Sequence, residues 1–198
     1  MTRLIWVRHG PTHASEMIGW TDRAADLSDR AAIARLAAAL PRNAGYVSSD
    51  LRRAVATADA LLAACPPLAA PTRLPHDADF REMHFGAWEG RRHADIDAED
   101  PARLRAFWEN AGAMRAPGGE SWNDLCARTH AATDALLAAH PGRDLVIVAH
   151  FGTILAALQR ALGIGVQQVF AQHIEPLSLT ELDWQPTGWR VGRVNYRP

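Results

Sequence analysis

Two short apolar runs constrain this chain more than anything else in it. Leu4-Ile5-Trp6-Val7 leads into Arg8-His9-Gly10, and Leu145-Val146-Ile147-Val148-Ala149 leads into His150-Phe151-Gly152. Four or five consecutive apolar residues bounded by charge or glycine read as strands buried on both faces, the kind found in parallel sheets covered by helices. Each run delivers a histidine at its C-terminal end. In open α/β sheets, ligands bind beyond the carboxyl ends of the strands. If the two strands lie side by side, both imidazoles enter one crevice.

The stretches around these runs supply the helices. Ser28 stands in an N-cap position before Ile33, Leu36, Ala37 and Leu40, with Pro41 at the end. Gly45-Tyr46-Val47-Ser48 reads as a second short strand. Ser49 or Asp50 then caps a helix carrying Leu51, Ala54, Val55, Ala58, Leu61 and Leu62, stopped by Pro66-Pro67. Residues 71–79 read as an extended connection. Residues 91–120 are the most charged and least periodic, with one short helix expected around 101–110; the segment 85–120 reads as an insertion folded over one face. Ser121 and Asp124 cap a long helix with Trp122, Leu125, Thr129, Ala132 and Leu136, ending near His140-Pro141-Gly142. Ile154, Leu155, Leu158, Ala161 and Leu162 mark another, before Gly163. Strands at 177–183 and 189–195, joined by Gln185-Pro186-Thr187-Gly188, read as an antiparallel edge hairpin. Strands alternating with helices predict one domain over 1–198: a three-layer αβα sandwich with a mostly parallel central sheet and an antiparallel edge strand.

Composition narrows the function classes. With 198 residues, 48% of them hydrophobic, and a net charge of −1, the chain suits one well-buried domain. It argues against a general nucleic-acid or anionic-membrane surface. A phosphate ligand would have to be held by a local cluster. Cys65 and Cys126 are far apart with no paired spacing, so reduced thiols are expected. Arg3 and Arg8 bracket an apolar run too short for a signal peptide, and no run approaches the ~20 residues of a membrane span. A cytoplasmic protein is the expectation. His9 and His13 stand four apart, but in a strand–loop region, and the other histidines lack carboxylates at ligand spacing, so no metal or cofactor is expected. Dinucleotide-binding, P-loop and serine nucleophile-elbow motifs are absent.

Residues 48–53, Ser-Ser-Asp-Leu-Arg-Arg, put basic side chains into the first turn of a helix, where free N–H groups and the dipole favour an anion. Periodicity does not choose between Arg52 and Arg53. For either, a solvated surface position is the plain alternative.

Taken in order, Leu-Ile-Trp-Val-Arg-His-Gly, Ser-Ser-Asp-Leu-Arg-Arg-Ala, Phe-Arg-Glu-Met-His-Phe-Gly-Ala-Trp-Glu-Gly, Pro-Gly-Gly-Glu-Ser and Val-Ala-His-Phe-Gly resemble the histidine phosphatase superfamily, the phosphoglycerate-mutase-like proteins. The Glu-Met-His-Phe-Gly-Ala-Trp-Glu segment and compact length are most similar to small α-ribazole phosphatase-type members. The resemblance implies that His9 is the nucleophile and forms a phosphohistidine. Arg8 and Arg53 would hold phosphoryl oxygens with His150 as a further donor, and Glu82 would be the general acid and later the base. It implies substrate-side positions at Gly10, Thr12, Ser15, Gly19, Trp20, His84 and Phe151. Trp88 and Glu120-Ser121 match such positions too, with core and capping roles as their alternatives. Pro11, Ser15 and Phe151 depart from the usual pattern, where a glutamate or glutamine, an asparagine and a small or polar residue are common.

The activity implied is metal-independent hydrolysis of a small phosphorylated metabolite, such as α-ribazole phosphate or a sugar or nucleoside phosphate. Two alternatives stand beside it: a cofactor-dependent phosphoglycerate mutase, and a non-catalytic relative that binds a phosphorylated ligand. A homodimer is the default on base rates alone.

Overall fold

The computed structural model of the chain describes residues 1–66 and 70–198. Its six strands form one sheet. They are β1 (Thr2–Arg8), β2 (Gly45–Ser48), β3 (Thr72–Arg73), β4 (Leu145–Ala149), β5 (Leu179–Gln185) and β6 (Gly188–Val191). The sheet order is β3-β2-β4-β1-β5-β6. The first four strands run parallel, while β5 is antiparallel to β1 and β6 to β5. The helices are α1 (Arg30–Ala39), α2 (Arg52–Ala63), α3 (His93–Glu99), α4 (Pro101–Glu109), α5 (Trp122–Ala139), α6 (Phe151–Leu162) and α7 (Val166–Phe170).

The two-residue period of the strands sorts the core into two layers. Ile5 and Val7 of β1, Tyr46 of β2 and Val146 and Val148 of β4 face α1 and α2. Leu4 and Trp6, with Val47, Leu145 and Ile147, face the opposite way, onto the layer that holds α5, α6 and the 80–116 segment. This is an α/β sandwich with a largely parallel sheet and an antiparallel edge.

Strands β1 and β4 are neighbours in register, Val7 opposite Val148 and Arg8 opposite Ala149. After β1 the chain leaves towards the α1 layer, and after β4 it enters α6 on the other face. Their carboxyl ends therefore flank the kind of crevice in which open α/β sheets place ligands.

Several local expectations shift. The cap of α1 is Asp29, whose carboxylate accepts the Ala32 N–H at 2.9 Å, because Ser28 turns its own N–H to Asp26. Helix α2 starts after Leu51, and neither Ser49 nor Asp50 caps it. Asp50 is drawn off by Arg81, and the Arg52 N–H is taken by Asp22 from a distant loop at 2.8 Å. Pro67 lies outside the described residues. The 71–79 connection contains β3 and a 3₁₀ turn at Ala78–Phe80. In the insertion, α3 precedes α4, with Asp100 capping α4 by accepting the Arg103 N–H. The capping box of α5 forms as expected, and Gly163 closes α6 at φ +64°. Strand β5 begins only at Leu179, since Leu177 sits at φ +56° with its N–H on the Arg8 carbonyl. Cys65 and Cys126 are both free thiols. No helix of the described residues is long and apolar enough to cross a membrane.

Candidate active site

Because Arg8 and Ala149 are level in the sheet, the next residue of each strand emerges at the same height, and the His9 N–H bonds the Ala149 carbonyl at 3.0 Å. The His9 and His150 rings lie 5.0 Å apart, centroid to centroid, and both side chains are buried. His9 Nδ1 is 2.6 Å from the Gly10 carbonyl oxygen. A carbonyl only accepts, so Nδ1 carries the proton and Nε2 keeps its lone pair. Burial, and then the charges of Arg53 and Arg8, push the His9 pKa down to about 3. The ring is neutral at physiological pH, as a nitrogen nucleophile must be.

Arg53, not Arg52, is the buried arginine of α2, at 1% exposure. Its Nη1 and Nη2 donate to the Thr21 and Gly19 carbonyls at 2.9 and 2.6 Å, and its Nε donates to His150 Nδ1 at 3.2 Å. His150 is neutral as well, driven down by burial, then by His9 and the arginines. With Nδ1 accepting, the proton of His150 sits on Nε2, a buried atom with no partner in the protein. Arg8 is held by its Nη1 on the Ile174 carbonyl at 2.6 Å, and its Nε is likewise buried and unpartnered. Two unpaired N–H donors beside two guanidinium groups make a site built for an anion.

Glu82 stands at the N-terminus of α6. The Gly152 N–H reaches both carboxylate oxygens at 3.1 Å, and the Met83 N–H donates to Oε1 at 2.9 Å. A Cβ on Gly152 would lie 2.3 Å from Glu82 Oε1, so only glycine leaves the carboxylate its place. Arg8, His9, Arg53, Glu82, Thr12 and Phe151 line one cavity of about 240 Å³, with Ala14, Glu16 and Ile18 at its side. The ring of Phe151 packs 5.4 Å from the Arg8 guanidinium carbon.

The remaining sequence candidates fall elsewhere. Gly10 touches the site through its carbonyl alone; its N–H bonds Thr57 Oγ1, and a side chain there would strike Leu27. Ser15 is exposed and lines no part of the cavity, because the loop turns it outward. Gly19 contributes its carbonyl to Arg53. Trp20 donates its indole N–H to the Glu82 carbonyl at 2.8 Å and packs on His84, with ring centroids 4.6 Å apart. Both stand outside the cavity lining, on the outer side of Glu82. Trp88 is a core residue, and Ser121 caps α5.

Two supporting residues were given no role by the sequence, Glu89 at the end of the Glu-Met-His-Phe-Gly-Ala-Trp-Glu segment and Arg128 outside every motif. The Glu89 carboxylate accepts four backbone N–H groups, from Gly19, Trp20, Thr21 and Phe85, and the Thr21 hydroxyl. Burial opposes its charge, yet these bonds, led by Thr21, hold its pKa below the usual range. Arg128 of α5 donates to the Asp79, Arg81 and Glu82 carbonyls and forms a bidentate pair with Glu120. It pins the backbone that presents Glu82. Among the described residues, no three His, Cys, Asp or Glu side chains cluster to hold a metal ion.

Residues 4–197 match the model of the histidine phosphatase superfamily, branch 1. This chain belongs to that superfamily. The histidine phosphatase chain is 31% identical over 193 residues to the bifunctional protein Rv2228c of Mycobacterium tuberculosis. The match takes in 94% of this chain and 51% of that one, so the chain spans about half the length of that relative. It is 36% identical over 179 residues to a glucosyl-3-phosphoglycerate phosphatase of Mycolicibacterium vanbaalenii, covering 83% of this chain and 76% of the relative. A solved structure of mycobacterial glucosyl-3-phosphoglycerate phosphatase Rv2419c, complexed with VO3, superposes with a TM-score of 0.80 at 35% identity, covering 98% of both chains. A structure of the α-ribazole phosphatase from Shigella flexneri shares the fold, with a TM-score of 0.76 at 22% identity over 98% and 96% of the chains.

Proposed function

We propose that this chain is a metal-independent phosphomonoesterase that hydrolyses a small phosphorylated metabolite through a phosphohistidine on His9. The observation that carries this reading is the bond from His9 Nδ1–H to the Gly10 carbonyl. It leaves Nε2 unprotonated in a cavity lined by two arginines and the carboxyl groups of Glu82 and Glu16.

In the first step His9 Nε2 forms a bond to phosphorus as the ester P–O bond breaks. Glu82 passes its proton to the departing oxygen, so the alcohol leaves neutral. In the second, Glu82 takes a proton from water, the water oxygen bonds to phosphorus and the P–N bond breaks. Inorganic phosphate leaves and both side chains return to their starting states. Phosphoryl transfer asks mainly for positioning and charge stabilisation. The guanidinium groups of Arg8 and Arg53 supply the positive charge, and His150 Nε2–H adds a donor to a phosphoryl oxygen. The phosphatase names of similar proteins support hydrolysis over isomerisation.

The test is phosphate release, with chelator present, from α-ribazole phosphate, sugar phosphates, glucosyl-3-phosphoglycerate, 3-phosphoglycerate and 4-nitrophenyl phosphate. Chelator-resistant turnover by the wild type, lost in His9→Ala together with an acid-labile phosphoryl adduct, is the expected result. Bisphosphate-primed isomerisation of 3-phosphoglycerate without net release would overturn it.

A further inference from the structure

A second cavity, of about 220 Å³, adjoins the first and shares two of its walls, Glu82 and Phe151. Its other walls are apolar: Met83, Phe85, Trp108, Trp122, Leu155 and Phe170, with the Gly152 backbone. Trp122 and Phe170 meet edge to face at 4.8 Å and 87°, and Trp108 meets Phe170 at 6.2 Å and 67°. The aromatic wall is therefore interlocked rather than collapsed into the space.

Its polar inventory is nearly empty. Glu82 is the one charged side chain in the lining. The Trp122 indole N–H is spent on Gln159 Oε1 at 2.8 Å, which leaves the buried and unpartnered Trp108 Nε1–H as the one indole donor of this wall. A sugar placed here would surrender the water on its hydroxyl groups and find almost nothing to replace it. An aromatic ring would lose nothing. An apolar cavity of about 150 Å³ takes benzene, so this one admits a ring with its linking carbons.

Resting on the phosphatase reading of the adjoining site, we infer that this cavity receives the alcohol part of the substrate. The preferred class is then the phosphate monoester of an alcohol carrying an apolar, aromatic group. Glu82 stands on the boundary between the two cavities, where the bridging ester oxygen of such a substrate must lie to be protonated. Phe151, which lines both cavities, forms the corner around which the ester bends.

The experiment compares kcat/KM for 2-phenylethyl phosphate, ethyl phosphate and glucose 6-phosphate, all esters of primary alcohols with closely similar leaving groups. The phenyl ester is expected to exceed the other two by on the order of 100-fold. In Phe170→Ser that ratio should fall by about tenfold. Because the ratio is taken within one preparation, partial unfolding of the variant leaves it unmoved. Turnover of all three esters at comparable kcat/KM, or preference for the glucose ester, would overturn the inference while leaving the phosphatase reading intact. So would a ratio that Phe170→Ser does not change. Failure of every ester, with no phosphoryl adduct on His9, would remove the phosphatase reading and this inference with it.

Discussion

The Arg53 Nε–H donates to His150 Nδ1 across 3.2 Å, and this contact decides which His150 nitrogen is a donor. The two remaining groups of the same guanidinium bond the Gly19 and Thr21 carbonyls. One planar fork thus sets a tautomer, anchors a loop and keeps N–H groups for an anion.

Lysine cannot meet those three demands from one ammonium on a flexible stem. Arg53→Lys is expected to lower kcat/KM by roughly 10²–10³-fold, with the phosphoryl adduct on His9 still forming at a reduced rate. Rapid-quench measurement of adduct formation checks this. A rate equal to the wild type would mean that Arg53 serves the loop alone.

In the proposed mechanism Glu82 gives a proton to the leaving oxygen, and an activated leaving group has little use for one. Glu82→Gln should lower kcat by about 10²–10⁴-fold on alkyl phosphates and far less on 4-nitrophenyl phosphate. Gly152→Ala should follow the same pattern, because its Cβ meets Glu82 Oε1 at 2.3 Å and the flexible carboxylate, not the helix, gives way. Steady-state kinetics on the two ester types, with a thermal melt of each variant, separates this from misfolding.

Glu89 is expected to be a positioning residue. Its two oxygens accept five donors from Gly19, Trp20, Thr21 and Phe85. A glutamine amide would oppose donor to donor at one side. Glu89→Gln should cost roughly 1–3 kcal/mol of stability. It should lower the rate of adduct formation through displacement of the carbonyls that hold Arg53. Equilibrium denaturation and rapid quench read the two effects independently.

His9 and His150 are neutral in the folded chain, with pKa values depressed from the ordinary 6.5, that of His9 to about 3. As pH falls, the unfolded chain takes up these protons first. The stability they support is therefore whole above pH 6.5 and lost as pH drops below it, for His9 down towards 3. For His9 the loss approaches about 1.4 kcal/mol per pH unit in that window, and His150 acts in the same direction. His9→Gln should show a shallower fall between pH 6.5 and 5 than the wild type, in urea denaturation at matched ionic strength. Identical slopes would mean that the His9 ring is not the buried neutral group described.

The strands and long helices were legible in the sequence because each is decided by its own side chains. The unbroken apolar runs of β1 and β4 allow no exposed face, and Ser121 with Asp124 caps α5 from within three residues. The resemblance carried by the ordered motifs points to His9, Arg8, Arg53, Glu82 and His150, and the fold brings these five side chains together. Elements that depend on distant partners were not legible. The first N–H of α2 is satisfied by Asp22, thirty residues away, and β3 is a strand only because β2 lies beside it.

What the sequence determined by itself was the set of chemical groups and the order of the elements that carry them. Periodicity is local, and a side chain's type travels with it. The tertiary structure alone decided that Ser15 turns out and that each histidine keeps its proton on one particular nitrogen. It also decided that Trp108, Trp122 and Phe170, dispersed along the chain, converge beside Glu82. Those outcomes depend on contacts between segments far apart in sequence, where pairing, burial and the hydrogen bonds of a neighbouring loop outweigh anything written into the residue's own surroundings.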